Sequence, residues 1–197
     1  MTTIILASAS AARAALLKAA GVTFDAATSG VDEAQIKNRL LAEGAAPARV
    51  AEALAEAKAL AVSSARPGLV IGADQTLSQG GLLHDKAADL AGARAQLLAL
   101  RGRAHQLHAA VVTARNGRRL WGETITATLF MREFSDDFLT AYLTRNADAV
   151  LSCVGCYELE GEGVQLFARI DGDYFAILGL PLLGLLAHLR DEGLVAR

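Results

Sequence analysis

Residues 3–7 are a run of β-branched and apolar side chains that gives way to Ser8-Ala9-Ser10. The pattern predicts a buried first strand leading into an alanine-rich helix over about residues 10–20, which stops at Gly21. Residues 22–27 read as a second short strand, followed by the polar turn Thr28-Ser29-Gly30. A long helix follows Pro47, with Val50, Leu54 and Ala57 on one face, continued by Leu60 and Ala61. Residues 69–73 form another apolar strand that ends at Asp74, and a helix over about 88–100 closes at Arg101-Gly102. Beyond it residues 105–114 and 118–131 are β-rich and joined by Asn116-Gly117, the pair best suited to a two-residue hairpin turn. Ser135 caps a helix to about Leu143, with Asp136 and Asp137 in its first turn. Glycines 155, 161 and 163 punctuate a further strand region, and Pro181 opens a last helix ending near Arg190. Strands alternate with helices early and a hairpin comes late, which predicts an α/β fold with a mixed sheet.

Composition narrows the class. A chain of 197 residues with 53% hydrophobic and 20% charged positions can bury a core, which excludes a disordered or fibrous protein. A net charge of −2 gives no broad basic surface for nucleic acid or anionic lipid, and no apolar run is long enough to span a membrane. Met1-Thr2-Thr3 lacks the basic start of a signal peptide, and two cysteines make no disulfide framework, so the expected compartment is the cytoplasm. Only four of the 19 basic residues are lysines: Lys18, Lys37, Lys58 and Lys86.

Neither GxxxxGK[ST] nor GxGxxG occurs, so neither common phosphate fingerprint is present. The segment Ser8-Ala9-Ser10-Ala11-Ala12-Arg13 nonetheless joins a strand end, two hydroxyls, a helix start and a guanidinium, which are the parts of an anion site; an ordinary serine cap with a solvated arginine uses the same residues. Asp74 follows an apolar strand, where α/β sheets place metals and ligands, and its carboxylate suits a divalent cation or a proton from water; a turn aspartate fits as well. Asp32-Glu33 is either a second acidic contribution or a helix-start pair. Lys58, within a helix, and Lys86, in a loop between a short strand and a helix, are compact charges suited to phosphate oxygens or simply to solubility. Cys153-Val154-Gly155-Cys156 lacks the second ligand pair a structural zinc needs, and His105 and His108 fall at i and i+3 of a predicted strand, on opposite faces. Packing is the expected role of both cysteines.

Taken in order, these segments resemble the Maf family of nucleoside triphosphate pyrophosphatases. The resemblance rests on Leu6-Ala-Ser-Ala-Ser10 with Arg13, Val31-Asp32-Glu33, Ala57-Lys58-Ala59, Gly72-Ala73-Asp74-Gln75, Lys86, Leu98-Ala-Leu-Arg-Gly102 with His105, and Gly179-Leu180-Pro181-Leu182. It implies one domain over residues 1–197, folded as two lobes around a mixed, elongated sheet flanked by helices, with the active-site cleft between the lobes. It further implies hydrolysis between the α and β phosphates, with Asp74 as proton acceptor and Lys58 and Lys86 assisting. Ser8, Arg13, Gln75 and Glu160 would bind substrate, and Glu33 and Asp74 would hold Mg²⁺ or Mn²⁺. A homodimer is a family expectation. Gly-Ala-Asp-Gln, Ser152-Cys153-Val154-Gly155 and Glu160-Gly161 resemble the branch acting on 7-methyl-GTP, whereas the dTTP/UTP branch has glutamine in place of Glu160. A cell-division regulator without catalysis is the other role associated with the family. Three positions depart from its pattern: Ala12 stands for Arg or Trp, Ala87 for Pro, and the turn at residues 171–176 is altered.

Overall fold

The structure, a computed structural model, describes residues 2–196. Strand β1 (Ile4–Ala7) is buried at every position because both its faces are covered. Ile4 and Leu6 pack with Leu17 of helix α1 (Ala11–Ala19) and with Leu182, Leu185 and Leu189 of helix α8 (Leu182–Asp191). Ile5 and Ala7 point the other way, onto Ala51, Ala55, Ala59 and Val62 of helix α3 (Pro47–Ala65). The alanines of α3 present a smooth face that lets the helix approach the sheet closely. That face takes in Val50, Ala51, Leu54, Ala55, Lys58, Ala59 and Val62, while Ala57, expected on it, is only half-buried.

The remaining elements are strand β2 (Asp25–Ala26), helix α2 (Glu33–Ala42), strand β3 (Leu69–Gln79), strand β4 (Leu82–His84), helix α4 (Leu90–Leu100), strand β5 (Ala104–Arg115), strand β6 (Arg118–Met131), helix α5 (Asp136–Arg145), helix α6 (Ala147–Ser152), strand β7 (Phe167–Asp171) and helix α7 (Tyr174–Ile177). They form a mixed seven-stranded sheet in the order β2-β1-β3-β5-β6-β7, with β4 also paired to β3. β1 runs parallel to β2 and β3, in a register that sets Ala7 opposite Gly72. β4 and β7 are antiparallel to β3 and β6. The α/β class with a mixed sheet stands as expected.

The chain divides into two compact units. The first takes the chain up to Gln75, His108–Ile125 and the chain from Asp173 on; the second takes Thr76–Leu107 and Thr126–Gly172. In the second unit α4, α5 and α6 pack on one another, and β7 completes the pairing of β6 from Thr128 to Met131.

Three expectations need correction. The strand expected over 22–27 shrinks to Asp25–Ala26, since Val22 turns into the core beside Leu17 while residues 25 and 26 lie exposed at the sheet edge. β3 does not end at Asp74 but continues to Gln79, because Gly80 and Gly81, both at positive φ, turn the chain into β4 and pair Leu77 with His84. The strand region expected around glycines 155, 161 and 163 is instead the end of α6, an irregular turn with Cys156 at φ 58°, and a 3-10 helix (Glu162–Leu166). Gly155 and Gly163 are there for close packing: a Cβ on Gly155 would strike the Tyr157 ring, and one on Gly163 would strike the Glu158 backbone.

Candidate active site

In the first unit the site begins where β1 stops. β1 ends at Ala7 and its parallel neighbour β3 runs on, so Asp74 lies mid-strand yet beyond the end of β1. Gly72 explains the approach of α3 at this point. A Cβ there would sit 2.1 Å from the Ala55 carbonyl oxygen and 2.7 Å from the Ala59 nitrogen, so only glycine allows this contact. The close approach delivers Lys58, on the buried face of α3, to Asp74: Lys58 Nζ donates to Asp74 Oδ1 at 2.6 Å. The same nitrogen lies 2.9 Å from Glu33 Oε1. Asp32 caps α2 by accepting from the Gln35 N–H, and this places Glu33 in the first turn, half-exposed and aimed at the ammonium. Asp32 therefore starts the helix, and Glu33 pairs with Lys58.

The α1 start supplies the other half. Ser10 caps the helix through the Arg13 N–H, and Arg13 turns inward. Its Nε donates to the Gly179 carbonyl at 2.8 Å, and its Nη1 donates to Ser8 Oγ and to the Ala73 carbonyl, each at 3.1 Å. Burial pushes the guanidinium pKa down, while the negative charges of Asp74 and Glu33 push it back up. Ser8 Oγ accepts from both the Ser10 N–H and Arg13 Nη1, which uses both hydroxyl lone pairs and leaves its own O–H to donate outward. Gln75 is tied to a neighbouring helix through half of its amide. Its Nε2 donates to the carbonyls of Ala176 and Ile177, 3.0 Å each, so the amide nitrogen tethers α7 and only the amide oxygen remains for a ligand.

Lys86 and Glu160 belong to the second unit, both exposed, and Cys153 feels the charge of each. The segment carrying Glu160 is anchored by buried contacts: Tyr142 Oη donates to the Cys156 carbonyl, and Tyr157 Oη lies 2.7 Å from His105 Nε2. Burial lifts the thiol pKa of Cys156 to about 11 and also raises that of Cys153, at the C-terminal end of α6. The pattern of residue types pointed to Ser8, Arg13, Glu33, Lys58 and Asp74, which meet in the first unit. It gave no role to Gly72 as the contact point of α3, nor to Gly179, whose φ of 97° turns its carbonyl to Arg13; the signals available were the glycines beside Asp74 and before Leu180-Pro181.

The model of the Maf-like protein family matches residues 3–192. The chain belongs to the Maf-like family. It is 58% identical over 193 residues to a Caulobacter vibrioides protein named nucleoside triphosphate pyrophosphatase, covering 98% of this chain and 97% of the relative. A Paramagnetospirillum magneticum protein of the same name is 53% identical over 96% of this chain and 98% of its own. A Brucella abortus protein named 7-methyl-GTP pyrophosphatase is 50% identical over 96% of each chain.

For this Maf-like chain, the donor set can be tested against a divalent metal. Among the described residues no three His, Cys, Asp or Glu side chains gather to hold one. Asp74 and Glu33 offer two hard oxygen donors that share one ammonium as neighbour. Two carboxylates suit Mg²⁺ or Mn²⁺ where substrate phosphates and waters complete the shell, and they do not make a cage by themselves. Arg13, Lys58, Asp74 and Glu33 sum to no net formal charge, so they do not neutralise a polyphosphate unaided.

Proposed function

We propose that this chain is a nucleoside triphosphate pyrophosphatase that cleaves between the α and β phosphates, releasing the nucleoside monophosphate and pyrophosphate. The observation that carries the reading is the meeting of Lys58 with both Asp74 and Glu33 beside Arg13 and Ser8, in a chain whose close relatives bear that enzyme's name. In the proposed reaction a water oxygen bonds to the α phosphorus as the bond from that phosphorus to the bridging oxygen breaks, and pyrophosphate leaves with the electron pair. Asp74 takes the proton of the water through Oδ2, the oxygen not bonded to Lys58. Ser8 Oγ–H and the remaining Arg13 nitrogen donate to phosphate oxygens, and Lys58 and Lys86 balance the charge of the chain of phosphates. Glu33 and Asp74 would hold Mg²⁺ or Mn²⁺, which when bound supplies the positive charge that the residues lack.

For the base we propose 7-methylguanine. The N1–H and exocyclic amine of guanine match one carboxylate, and methylation at N7 makes the ring cationic; Glu160 is the acid we assign to the base. Half-identical relatives named 7-methyl-GTP pyrophosphatase support this choice. Glu160 is exposed, so its discrimination would be modest on its own account. The proposed role is removal of modified nucleotides from the cytoplasmic pool; no helix among the described residues is long and apolar enough to cross a membrane.

The test is a panel of 7-methyl-GTP, GTP, dTTP, UTP and ITP with Mg²⁺ or Mn²⁺, scored by monophosphate and pyrophosphate formed. The expected result is turnover that Asp74→Asn abolishes, with 7-methyl-GTP preferred and the preference reduced in Glu160→Gln. Preference for dTTP or UTP would overturn the base and keep the reaction. No turnover of any member would overturn the reaction.

A further inference from the structure

Lys58 is 6% exposed, and its ammonium lies against two carboxylate oxygens at 2.6 and 2.9 Å, so those oxygens are no farther apart than the two distances together. The two contacts come from separate elements packed on α3: mid-β3 through Asp74 and the first turn of α2 through Glu33. Leu40 is the one fully buried residue of α2, and the Glu33–Lys58 ion pair joins the first turn of that helix to the site. A cation bridging two carboxylates at this range is also the role assigned above to a divalent metal.

We propose that Lys58 is a built-in competitor for the metal, holding Asp74 and Glu33 in place and making tight divalent-cation binding conditional on the nucleotide. The ammonium and a dication cannot both draw full benefit from the same two acids. The repulsion between them is strongest at the buried Lys58–Asp74 side of the cluster, where water screens least. A triphosphate changes the balance, because its oxygens give the Lys58 ammonium another anionic partner. Lys58 can leave the carboxylates for the phosphates without becoming an unpaired buried charge, which is the state that costs most. Coupling of this kind is reciprocal: whatever factor the nucleotide adds to cation affinity, the cation adds to nucleotide affinity. The enzyme would thereby take up the metal together with its substrate, and its acids would stay ordered in between.

This inference rests on the pyrophosphatase reading for its nucleotide, and direct binding separates the two. The probe is Mn²⁺, titrated by electron paramagnetic resonance of the free ion, with and without a guanosine triphosphate analogue carrying a methylene between the α and β phosphorus atoms. Lys58→Met should bind Mn²⁺ alone roughly tenfold or more tightly than the wild type. Lys58→Arg, which keeps the charge, should bind it as weakly as the wild type. The analogue should strengthen Mn²⁺ binding in the wild type by a larger factor than in Lys58→Met. Circular dichroism checks that each variant folds, and Lys58→Gln replaces the methionine variant if that one does not. The wild type also gives a test without any variant: Mn²⁺ held as tightly by the protein alone as with the analogue overturns the proposal. So does a Lys58→Met protein that binds Mn²⁺ no better than the wild type. Tighter Mn²⁺ binding in Lys58→Met, with a wild type that hydrolyses nothing, would keep the competition and overturn the reaction; hydrolysis by the wild type, with Mn²⁺ binding unaltered in Lys58→Met, would do the reverse.

Discussion

Three hydrogens of the Arg13 guanidinium go to fixed acceptors: the Gly179 and Ala73 carbonyls and Ser8 Oγ. The planar fork can satisfy three directions at once, and an ammonium on a flexible stem cannot reproduce that geometry. Arg13→Lys should therefore cost about 3 kcal/mol of stability, since it breaks hydrogen bonds from a buried charge. Urea denaturation measures the loss, and a variant as stable as the wild type would show that these bonds contribute little. The sequence singled out Arg13, Lys58, Asp74 and Glu33 because each is a charged residue at an element boundary or on an apolar flank. It could not show that Lys58 touches both acids, since neither Glu33 nor Asp74 stands at a helical spacing from it and the contact arises only when β3 and α2 meet α3. Gln75 is the opposite case. A carboxamide beside the key aspartate suggests a ligand, and its nitrogen is taken by the Ala176 and Ile177 carbonyls at the C-terminal end of α7, which leaves the amide oxygen for one.

α3 and β3 meet at Gly72, and this single contact links stability to the site. Gly72→Ala would force a methyl group into the backbone of Ala55 and Ala59, and helix backbone cannot yield as a side chain can. The expected result is destabilisation by about 3 kcal/mol together with a drop in kcat, because α3 would carry Lys58 away from Asp74 as it moves out. A variant that loses stability with its kcat intact would show that the site tolerates the shift. Elements of this kind were largely readable in advance. β1, α1, the Asn116-Gly117 hairpin, the Ser135 cap and the helix after Pro181 all carry local signals, a cap or a turn dipeptide, that outweigh context. Residues 147–166 carry no such signal. Their glycines suggest strand punctuation, but Gly155 is required by the Tyr157 ring and Gly163 by the close approach of the Glu158 backbone, packing reasons that periodicity does not encode. The Gly80-Gly81 turn was legible as a hairpin, and reading it would have carried β3 beyond Asp74.

Acid should destabilise the whole molecule in two separable steps. Burial pushes the pKa of His105 down from 6.5 to about 4, so between those values the unfolded chain takes up a proton that the folded one refuses. Stability contributed this way is present at neutral pH and lost as pH falls from 6.5 towards 4, by up to about 3 kcal/mol. Burial moves His108 and His188 in the same direction. Glu162, held near 2 by hydrogen bonds from Arg145 and Asn146, acts later: its contribution is present above 4.5 and fades as pH falls through 2. His105 faces Tyr157, Phe167 and the charge of His84, so His105→Phe keeps an aromatic ring there while removing the titration. Urea midpoints should then fall less between pH 7 and 4 in His105→Phe than in the wild type, whereas the loss that Glu162 contributes as pH falls through 2 should be unchanged. Two probes extend the measurement to the full chain. The single tryptophan, Trp121, reports the first unit, whereas His105 lies in the second. β3, β5 and β6 each run through both units, so their unfolding should be one cooperative event, and Trp121 fluorescence and circular dichroism should share the same acid-sensitive midpoint. An acid limb seen by circular dichroism and missed by Trp121 would mean that the second unit melts by itself.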